Sequence, residues 1–538
     1  LRSVGTIWER ILLSSEPTLY SIALNAGRNE GGSANLYRVQ SAINSMNIAN
    51  EESAIAPTVA LIVFLAAGLA AYFVLKKLDR RELLWVVMPV LSIAAAGAIY
   101  LMSLNSTLNR PMAATVTHLS NGVNQSGANV YVGFAAKDVN RQTLSTPDGD
   151  LTITTDSYYY DDSDEERSSV PTKLRYCYRY GAQKEIEFKS TAAWTVRYAS
   201  IADVNADWGA VKGQIWMEED GLHATIENAT AYPLKDGYLL TALGYCKVPE
   251  ILPGQIAGAA ILEWKDGEEK PAGNSYGYSA VDGKLIYLAA SAASSSRKMP
   301  QASYYQEALD MYSLIYMAVY PEQLADKNWD AGELPSSERT AREAVSNLLQ
   351  LSTDRSGGTA SFTATYVGFN DELGQVELIM NGEKIERMAH KAVISSNLEF
   401  LPVGKTGIVY YAPGVLDALT GETDENGRPR ITQGVAENLT DASAAKLISF
   451  RIPDAKRIDI EEIVFSASYI EGNATAWLYN ARTGEWDEQK SLYISQTENA
   501  QDYLNADGEI FVRLQSREGR GGSLFVEQPY LEVKGRTK

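Results

Sequence analysis

Two long apolar stretches, Pro57–Leu75 and Leu83–Leu104, dominate the pattern of hydrophobic and polar positions. Neither carries the polar stripe that a helix on the surface of a soluble domain presents to water. Each has about the 20 residues that a helix needs to cross the hydrocarbon core of a bilayer. The pattern therefore predicts a transmembrane α-hairpin over residues 57–104. The alternative is a pair of buried helices in a soluble domain.

A short basic connector joins the two stretches and contains Lys76, Lys77, Arg80 and Arg81. Short loops rich in lysine and arginine stay on the cytoplasmic side of a membrane. These four residues therefore determine the predicted topology, which is a multi-pass protein of the cell membrane with the regions on both sides of the hairpin extracytoplasmic. Because neither stretch contains a charged residue, we expect no ion path through this hairpin alone.

Alternation of apolar and polar residues with a period of two predicts that the rest of the chain is mainly β. Runs such as NVYVGF and GYLLTALGYC, separated by turn sequences, predict a first antiparallel β-sandwich over residues 105–300. A helical segment is predicted at 301–352, where apolar residues recur at helical spacing. Residues 353–538 return to alternation and predict a second antiparallel β-sandwich, of jelly-roll type.

The first 56 residues contain apolar positions at helical spacing, interrupted by the loop GRNEGGSAN. We interpret residues 1–56 as the C-terminal remnant of an upstream extracytoplasmic domain. No signal peptide precedes the first apolar stretch, although the predicted topology requires export. The sequence is therefore expected to be a fragment of a longer protein.

Charge and cysteine content narrow the possible partners and the chemistry. The 48 Lys and Arg against 67 Asp and Glu give a formal net charge of −19, which disfavours nucleic acid and anionic lipid surfaces as the main partner. The expected contact with lipid is the bilayer core, through the two helices. Cys177 and Cys246 lie in strand-like runs, where they either form a disulfide outside the cytoplasm or are buried as small apolar residues.

Recognisable catalytic and metal-binding motifs are missing from the pattern. His118, His223 and His390 are isolated from one another, and HExxH, CxxC and GxxxxGK[ST] do not occur. The acidic segments Asp161–Glu166 and Asp424–Gly427 are interpreted as a solvated loop and a turn, in preference to calcium sites. We therefore predict that the protein is not an enzyme and has no catalytic residues, cofactor or metal ligands.

Aromatic residues near a turn are the strongest indication of binding. The segment WLYNARTGEW places Trp477, Tyr479 and Trp486 around that turn. Sandwich domains that bind sugars use aromatic surfaces of this kind. Alternation along a strand puts Trp477 and Tyr479 on one face, but the pattern leaves open whether that face is the surface or the core.

A series of short motifs covers nearly the whole chain: KKLDRREL, Tyr131–Phe134, Trp194–Arg197, Ile226–Leu240 with Pro253-Gly254, Tyr366–Asp371, LIMNGEKI and WLYNARTGEW. In this order they resemble a family of uncharacterised membrane proteins from Gram-positive bacteria, in which a transmembrane hairpin precedes extracytoplasmic β-sandwich domains. Larger members have an upstream domain similar to glutamine amidotransferases, which would account for residues 1–56. The resemblance implies no catalytic residues.

These observations together predict a membrane-anchored cell-envelope protein whose extracytoplasmic β-sandwich domains bind a partner protein or an envelope polymer. One alternative is the accessory and anchoring part of an enzyme whose catalytic domain lies in the missing N-terminal portion. A second alternative is a subunit of a membrane transport or envelope-assembly complex, in which the hairpin packs against other membrane helices.

Overall fold

The computed structural model describes most of the two β-rich regions and parts of the helical ones. The residues described are 42–43, 46, 66–73, 75–77, 85–94, 111–121, 126–135, 141–153, 175–179, 185–189, 196–202, 204, 208–241, 243–263, 265, 282–285, 315, 318–320, 334–353, 364–386, 388–424, 428–435, 438–439, 445–471, 474–489, 492, 494–516 and 525–538. Strands make up most of these residues, so the prediction of a mainly β fold is confirmed.

A sheet of thirteen strands forms the body of the protein. Strands are numbered in chain order, β1–β29. In spatial order the sheet contains β18 (Glu399–Leu401), β8 (Val211–Glu218), β9 (Gly221–Asn228), β12 (Ile256–Leu262), β13 (Lys284–Leu285), β11 (Gly244–Val248), β10 (Lys235–Thr241), β14 (Ala364–Asn370), β17 (Met388–Asn397), β1 (Met112–Asn121), β2 (Ser126–Ala135), β7 (Arg197–Ala202) and β4 (Asp150–Ile153).

The large sheet is mixed and closes on itself along part of its width. β1 pairs with β17 in parallel, whereas the sequence pattern predicts an antiparallel sandwich. β17 continues after Leu398 into β18, which pairs in parallel with β8 at the far end of the strand order. The strands from β8 to β17 therefore enclose an apolar interior, which includes Ile215, Leu239 and Ile394.

A smaller sheet covers one face of the open part of the large sheet, around β1, β2, β7 and β4. Its five strands are β16 (Glu383–Lys384), β15 (Ile379–Met380), β3 (Arg141–Ser145), β6 (Glu185–Lys189) and β5 (Arg175–Arg179). Phe134 of β2 and Phe188 of β6 meet edge to face across the two layers, with ring centroids 5.1 Å apart. This geometry is favourable for aromatic pairs and marks a packed sandwich core.

Helical segments cover the opposite face of the large sheet. Ala113 packs towards the smaller sheet, whereas its neighbour Ala114 packs towards the helices, as alternation along a strand requires. The helical layer includes Ile43, Ile315 and the helix Ser336–Thr353, which is buried through Leu348 and Leu349. Some of the residues predicted to be a remnant of another domain, and some of the 301–352 segment, therefore pack on the large sheet.

Close packing explains a glycine in the YVGF motif of β2. A Cβ atom added to Gly133 would clash with Cγ2 of Ile43, which is fully buried. The glycine is thus required by the approach of the residue 42–43 segment to the sheet.

The C-terminal part is a two-sheet sandwich. One sheet contains β19 (Ile408–Tyr411), β29 (Phe525–Thr537), β24 (Ile458–Glu471) and β27 (Ile494–Gln496), with β22 (Asn438–Leu439) also paired to β29. The other contains β21 (Pro429–Val435), β20 (Ala418–Thr423), β23 (Ala445–Arg451), β28 (Glu509–Ser516), β25 (Ala474–Asn480) and β26 (Glu485–Glu488).

The connections between these two sheets follow the jelly-roll order. The spatial orders β19-β29-β24-β27 and β21-β20-β23-β28-β25-β26 place most successive strands in alternating sheets, apart from the β20–β21 and β25–β26 hairpins. Phe450 and Phe465 meet edge to face between the sheets at a centroid distance of 6.2 Å, within a core that also holds Leu478 and Val512. We refer to residues 408–537 as the jelly roll.

The strand pairing does not follow the predicted division at residue 353. β14, β17 and β18 lie in the large sheet, and β15 and β16 lie in the smaller one, so residues 364–401 complete the first unit. Alternation identifies strands but contains no information about distant partners, which is why the boundary was placed too early. The jelly roll begins only after this segment.

The turn between β8 and β9 holds the start of the jelly roll. The Glu218 carboxylate accepts hydrogen bonds from the N–H groups of Lys405 and Thr406, from the Thr406 hydroxyl, and from Trp216 Nε1 at 2.6 Å. Partial burial by itself would raise the pKa of the Glu218 carboxyl. The hydrogen bonds together have a larger effect, so the pKa of Glu218 is lowered. Lys405 Nζ also lies 4.2 Å from the centre of the Trp216 ring. The linker at 402–407 is therefore fixed on the large sheet.

The predicted hairpin at 57–104 is described only in part. Residues 66–73, 75–77 and 85–94 are helical, and a Cβ on Gly68 would lie 3.7 Å from Sδ of Met88, so the two segments are in contact. No helix among the described residues is both long and apolar enough to cross a membrane. Lys76 and Lys77 are exposed. Arg80 and Arg81 lie outside the described residues.

The remaining predictions concern cysteines and acidic loops. Cys246 is free and buried inside the closed part of the large sheet, and burial raises the pKa of its thiol to about 12. Cys177 lies in β5, in the smaller sheet. Residues 161–166 and 425–427 lie outside the described part of the chain, so the interpretation of these acidic segments stays a prediction.

Candidate binding surface

The outer face of the six-stranded sheet of the jelly roll carries the predicted aromatic residues. Along β25, Ala474, Ala476 and Leu478 face the core. Trp477 and Tyr479 alternate with them and therefore lie on the opposite, outer face. This face therefore lies outside the sandwich core, with Trp477 partly exposed and Tyr479 buried beneath its neighbours.

Ring contacts join these residues into a continuous patch. Tyr479 lies directly opposite Trp486 in the β25–β26 hairpin, with ring centroids 5.1 Å apart and planes inclined by 57°. Tyr479 also meets Phe511 of β28 edge to face at 6.3 Å. Tyr479 and Phe511 are buried, whereas Trp477 and Trp486 are partly exposed. The buried rings thus support two indoles that remain accessible from solvent.

An arginine from the neighbouring strand lies close to both tryptophans. Arg513 of β28 is directly opposite Trp477, and its Cζ lies 4.9 Å from the centre of the Trp477 ring and 4.7 Å from that of Trp486. Both distances are within the range of a cation–π interaction. Burial lowers the pKa of the Arg513 guanidinium. We call Trp477, Tyr479, Trp486, Phe511 and Arg513 the aromatic platform.

Two hydrogen-bond donors in the platform have no acceptor. Trp477 Nε1 and Arg513 Nε are both buried and make no hydrogen bond within the described part of the chain. Leaving a buried donor unpaired costs about 1–3 kcal/mol, more when the group is charged. The platform therefore keeps two unsatisfied donors next to exposed indole surface.

The tight turn between β25 and β26 sets the position of Trp486. Asn480 Oδ1 accepts hydrogen bonds from the N–H groups of Arg482 and Thr483, both at 3.1 Å. Gly484 has a φ of 76°, a left-handed conformation that glycine adopts without steric cost. Asn480 also donates to Asp487 Oδ2 at 3.2 Å. The NARTG sequence thus forms the hairpin that places the second tryptophan beside the first strand.

Sequence reasoning found three of the five platform residues. Trp477, Tyr479 and Trp486 are brought together as the short segment predicts, but Arg513 and Phe511 were missed. Their strand, EIFVRLQS, shows the alternation that places both on one face. Only the pairing of β25 with β28 shows that this face is shared with the tryptophans.

The described residues offer no alternative centre for metal chemistry. No group of three or more His, Cys, Asp or Glu side chains in this part of the chain is arranged to hold a metal ion. His118, His223 and His390 make hydrogen bonds to Ser395, Asp220 and Thr115 respectively. The pentapeptide GNSYG at 273–277 has the spacing of a nucleophile elbow and lies outside the described residues. The sequence before it, DGEEKPA, is polar, whereas an elbow follows an apolar strand.

Motifs of the resemblance that fall on described residues have structural roles. Asn228, in IENATAYPLKDG, is fully buried and donates to the carbonyls of Tyr232 and Ile251. Asn370, in YVGFND, accepts from the N–H groups of Glu372 and Leu373. These two side chains complete turns, whereas the motif WLYNARTGEW contributes three residues to the aromatic platform.

Comparison with known families gives one match, over the jelly roll. Residues 414–535 match a family model described as a domain of unknown function (DUF8815). This segment contains the whole aromatic platform. No curated protein matches the chain.

Comparison with solved structures finds similarity to the yeast delta-COP-I mu-homology domain. The domain complexed with a Dsl1 WxWxV peptide is 8% identical, covers 54% of this chain and 95% of its own, and has a TM-score of 0.19. The domain without the peptide is also 8% identical, covers 55% and 97%, and has a TM-score of 0.21. Similarity at this level carries no argument about function.

Proposed function

We propose that this chain is a cell-envelope protein that a helical hairpin holds in the cell membrane and that binds an envelope polysaccharide through the aromatic platform. The observation that carries the proposal is the contact of Arg513 with both Trp477 and Trp486 on the outer face of the jelly roll. The partly exposed indoles lie on a rigid sheet rather than on a loop, which favours a preformed binding surface.

The chemistry of the platform supports a saccharide ligand. Indole rings combine a large apolar face with a polar N–H and bind ligands that have both apolar and hydrogen-bonding groups. A sugar ring has an apolar C–H face and hydroxyl groups at its edge. Jelly-roll domains include lectins, although a shared architecture alone does not establish a function.

Exposed apolar side chains on the helical segments support the membrane anchor. Phe73 is 62% exposed, Trp85 is 87% exposed and Ile93 is 73% exposed. Contiguous apolar surface of this kind marks a membrane or protein interaction site. With Lys76 and Lys77 at the cytoplasmic turn, the hairpin would hold the regions on both of its sides outside the cytoplasm.

Sedimentation with protein-free peptidoglycan sacculi tests polysaccharide binding. The full chain, purified in detergent micelles, should sediment with the sacculi. Trp486→Ala should lower the affinity about three- to tenfold because it removes one stacking surface. Trp486→Phe keeps an aromatic ring and is the matched control. If Trp477→Ala and Trp486→Ala remain folded and bind as the wild type does, the platform is not the binding surface.

A reporter fusion tests the proposed topology. Alkaline phosphatase fused after Lys538 is active only outside the cytoplasm and should be active in cells that express the protein in its native membrane. Activity of a cytoplasmic reporter at the same position would contradict the topology and the envelope location. Co-purification of a permease in detergent would instead favour the role as a subunit of a transport complex.

A further inference from the structure

Arg513 has no carboxylate partner within the described part of the chain, although it lies against two indoles. Within the described residues no acidic side chain forms an ion pair with Arg513, and its Nε lacks an acceptor. Many other arginines of the same chain are paired with carboxylates: Arg141, Arg342, Arg430, Arg451, Arg482 and Arg536. Arg513 thus combines contacts to two indoles with a buried Nε that has no acceptor in the described part of the chain.

The contacts with the two indoles hold the Arg513 guanidinium in a fixed position, which favours the binding of an anion. Both indoles lie within 5 Å of Cζ of the guanidinium and cover part of its surface. Hydrogen bonds of a guanidinium lie in its plane, in a fork that matches the two oxygens of a carboxylate. The side chain is also held in place by Trp477 and Trp486, so that little conformational freedom remains to be lost on binding.

We infer that the ligand of the aromatic platform is an acidic polysaccharide, with a sugar ring on the exposed indole surface and a carboxylate of the sugar paired with Arg513. This inference rests on the proposed function, since it specifies the class of polysaccharide that the same surface binds. The positive charge of Arg513 favours a ligand with a carboxylate. The exposed indole surface favours a ligand that also has a sugar ring over a simple anion.

The charges around the platform limit how acidic the polymer is. Glu485 and Glu488 are exposed on β26, the edge strand next to the tryptophans, and Glu488 lies directly opposite Trp477. A polymer with a charge on every unit would place some of its charges near these carboxylates and would be repelled. A polymer with one carboxylate for every two sugars can pair one charge with Arg513 and keep neutral sugars beside the edge strand.

A pair of defined oligosaccharides tests the inference. The acidic probe is a hyaluronan hexasaccharide, in which glucuronate alternates with N-acetylglucosamine, and the neutral probe is the hexamer of N-acetylglucosamine. Calorimetry on the full chain in detergent micelles should give tighter binding of the acidic probe by about 10–100-fold, the range expected for a hydrogen bond to a charged group. Added salt should reduce this preference.

Substitutions at Arg513 identify the group responsible for the preference. Arg513→Gln should lower the affinity for the acidic probe about tenfold or more and leave the affinity for the neutral probe within about twofold. Arg513→Lys keeps the charge but not the planar fork and should give an intermediate affinity. Arg482→Gln removes an exposed charge from the same sheet, so it is the matched control and should leave both affinities unchanged. Retained binding of the neutral probe shows that each variant is folded.

The outcomes separate the two proposals. If both probes bind equally and Arg513→Gln changes neither affinity, the acidic specificity is wrong and polysaccharide binding stands. If neither probe nor sacculi bind, the proposed function fails and the inference fails with it. If hexaglutamate displaces the acidic probe and binds more tightly than it does, the platform binds acidic peptides. This outcome overturns the assignment to a polysaccharide.

Discussion

Nε2 of His118 lies 2.9 Å from Oγ of Ser395, a residue 277 positions further along the chain. The contact joins β1 to its parallel partner β17 in the middle of the large sheet. Burial lowers the pKa of His118 from 6.5 to about 4, because the charged imidazolium loses its hydration there. The fold therefore depends on a neutral histidine at this position.

Acid should destabilise the protein through His118. Between pH 6.5 and 4 the unfolded chain binds a proton at His118 that the folded chain does not bind. The free energy of unfolding therefore has its full value above pH 6.5 and decreases as the pH falls towards 4. The loss amounts to about 3 kcal/mol at most. Urea unfolding at pH 7 and pH 4.5 measures it. His118→Gln should be less sensitive to acid than the wild type. Equal acid sensitivity in His118→Gln and the wild type would contradict this role.

Gly133→Ala should destabilise the large sheet. The new methyl group would overlap Cγ2 of Ile43, and overpacking of a closed core costs about 1–3 kcal/mol. Thermal unfolding measures the change. The double variant with Ile43→Ala should recover part of the loss, because the space for the methyl group is restored. Additive losses in the double variant would show that residue 43 does not pack on Gly133.

Glu218→Ala should loosen the linker that precedes the jelly roll. The substitution removes the acceptor for Lys405, Thr406 and Trp216, at an expected cost of about 1–2 kcal/mol to the closed linker. Tryptic cleavage after Lys405 should become about 5–30-fold faster if it follows local opening. Glu219→Ala is the control, since Glu219 pairs with Arg536 on the surface and does not contact the linker residues named here. Equal cleavage rates in the two variants would contradict the role of Glu218.

Cys246 should resist thiol reagents in the folded protein. Its side chain is buried, and the raised pKa keeps the thiol protonated at pH 8. Iodoacetamide labelling followed by peptide mass spectrometry should find Cys246 unmodified in the native protein and modified in urea without a reducing agent. Absence of labelling in urea until a reductant is added would show that Cys246 is in a disulfide.

The sequence predicts strands well because alternation is a local property. The NVYVGF run lies in β2 and the EIFVRLQ run lies in β28. The identity of the strand with which each strand pairs is not a local property. The parallel pairing of β1 with β17, for example, joins residues that lie far apart along the chain. The boundary near residue 353 failed for this reason.

The residues of the aromatic platform could also be predicted only in part from local sequence patterns. Alternation correctly places Trp477 and Tyr479 on one face of β25, but hydrophobicity alone would assign the two large aromatic residues to the core. The core instead takes Ala474, Ala476 and Leu478, and the larger side chains stack outside. Arg513 enters the site only through the pairing of β25 with β28, which no local pattern reports.

The closure of the large sheet has a consequence for synthesis on the ribosome. β1 emerges early, yet its parallel partner β17 and the closing strand β18 emerge only after residue 388. Until then β1 and β8 each present an unpaired edge to the surroundings, and such edges are sites of association between chains. The nascent protein therefore has a long interval in which these open edges expose it to aggregation.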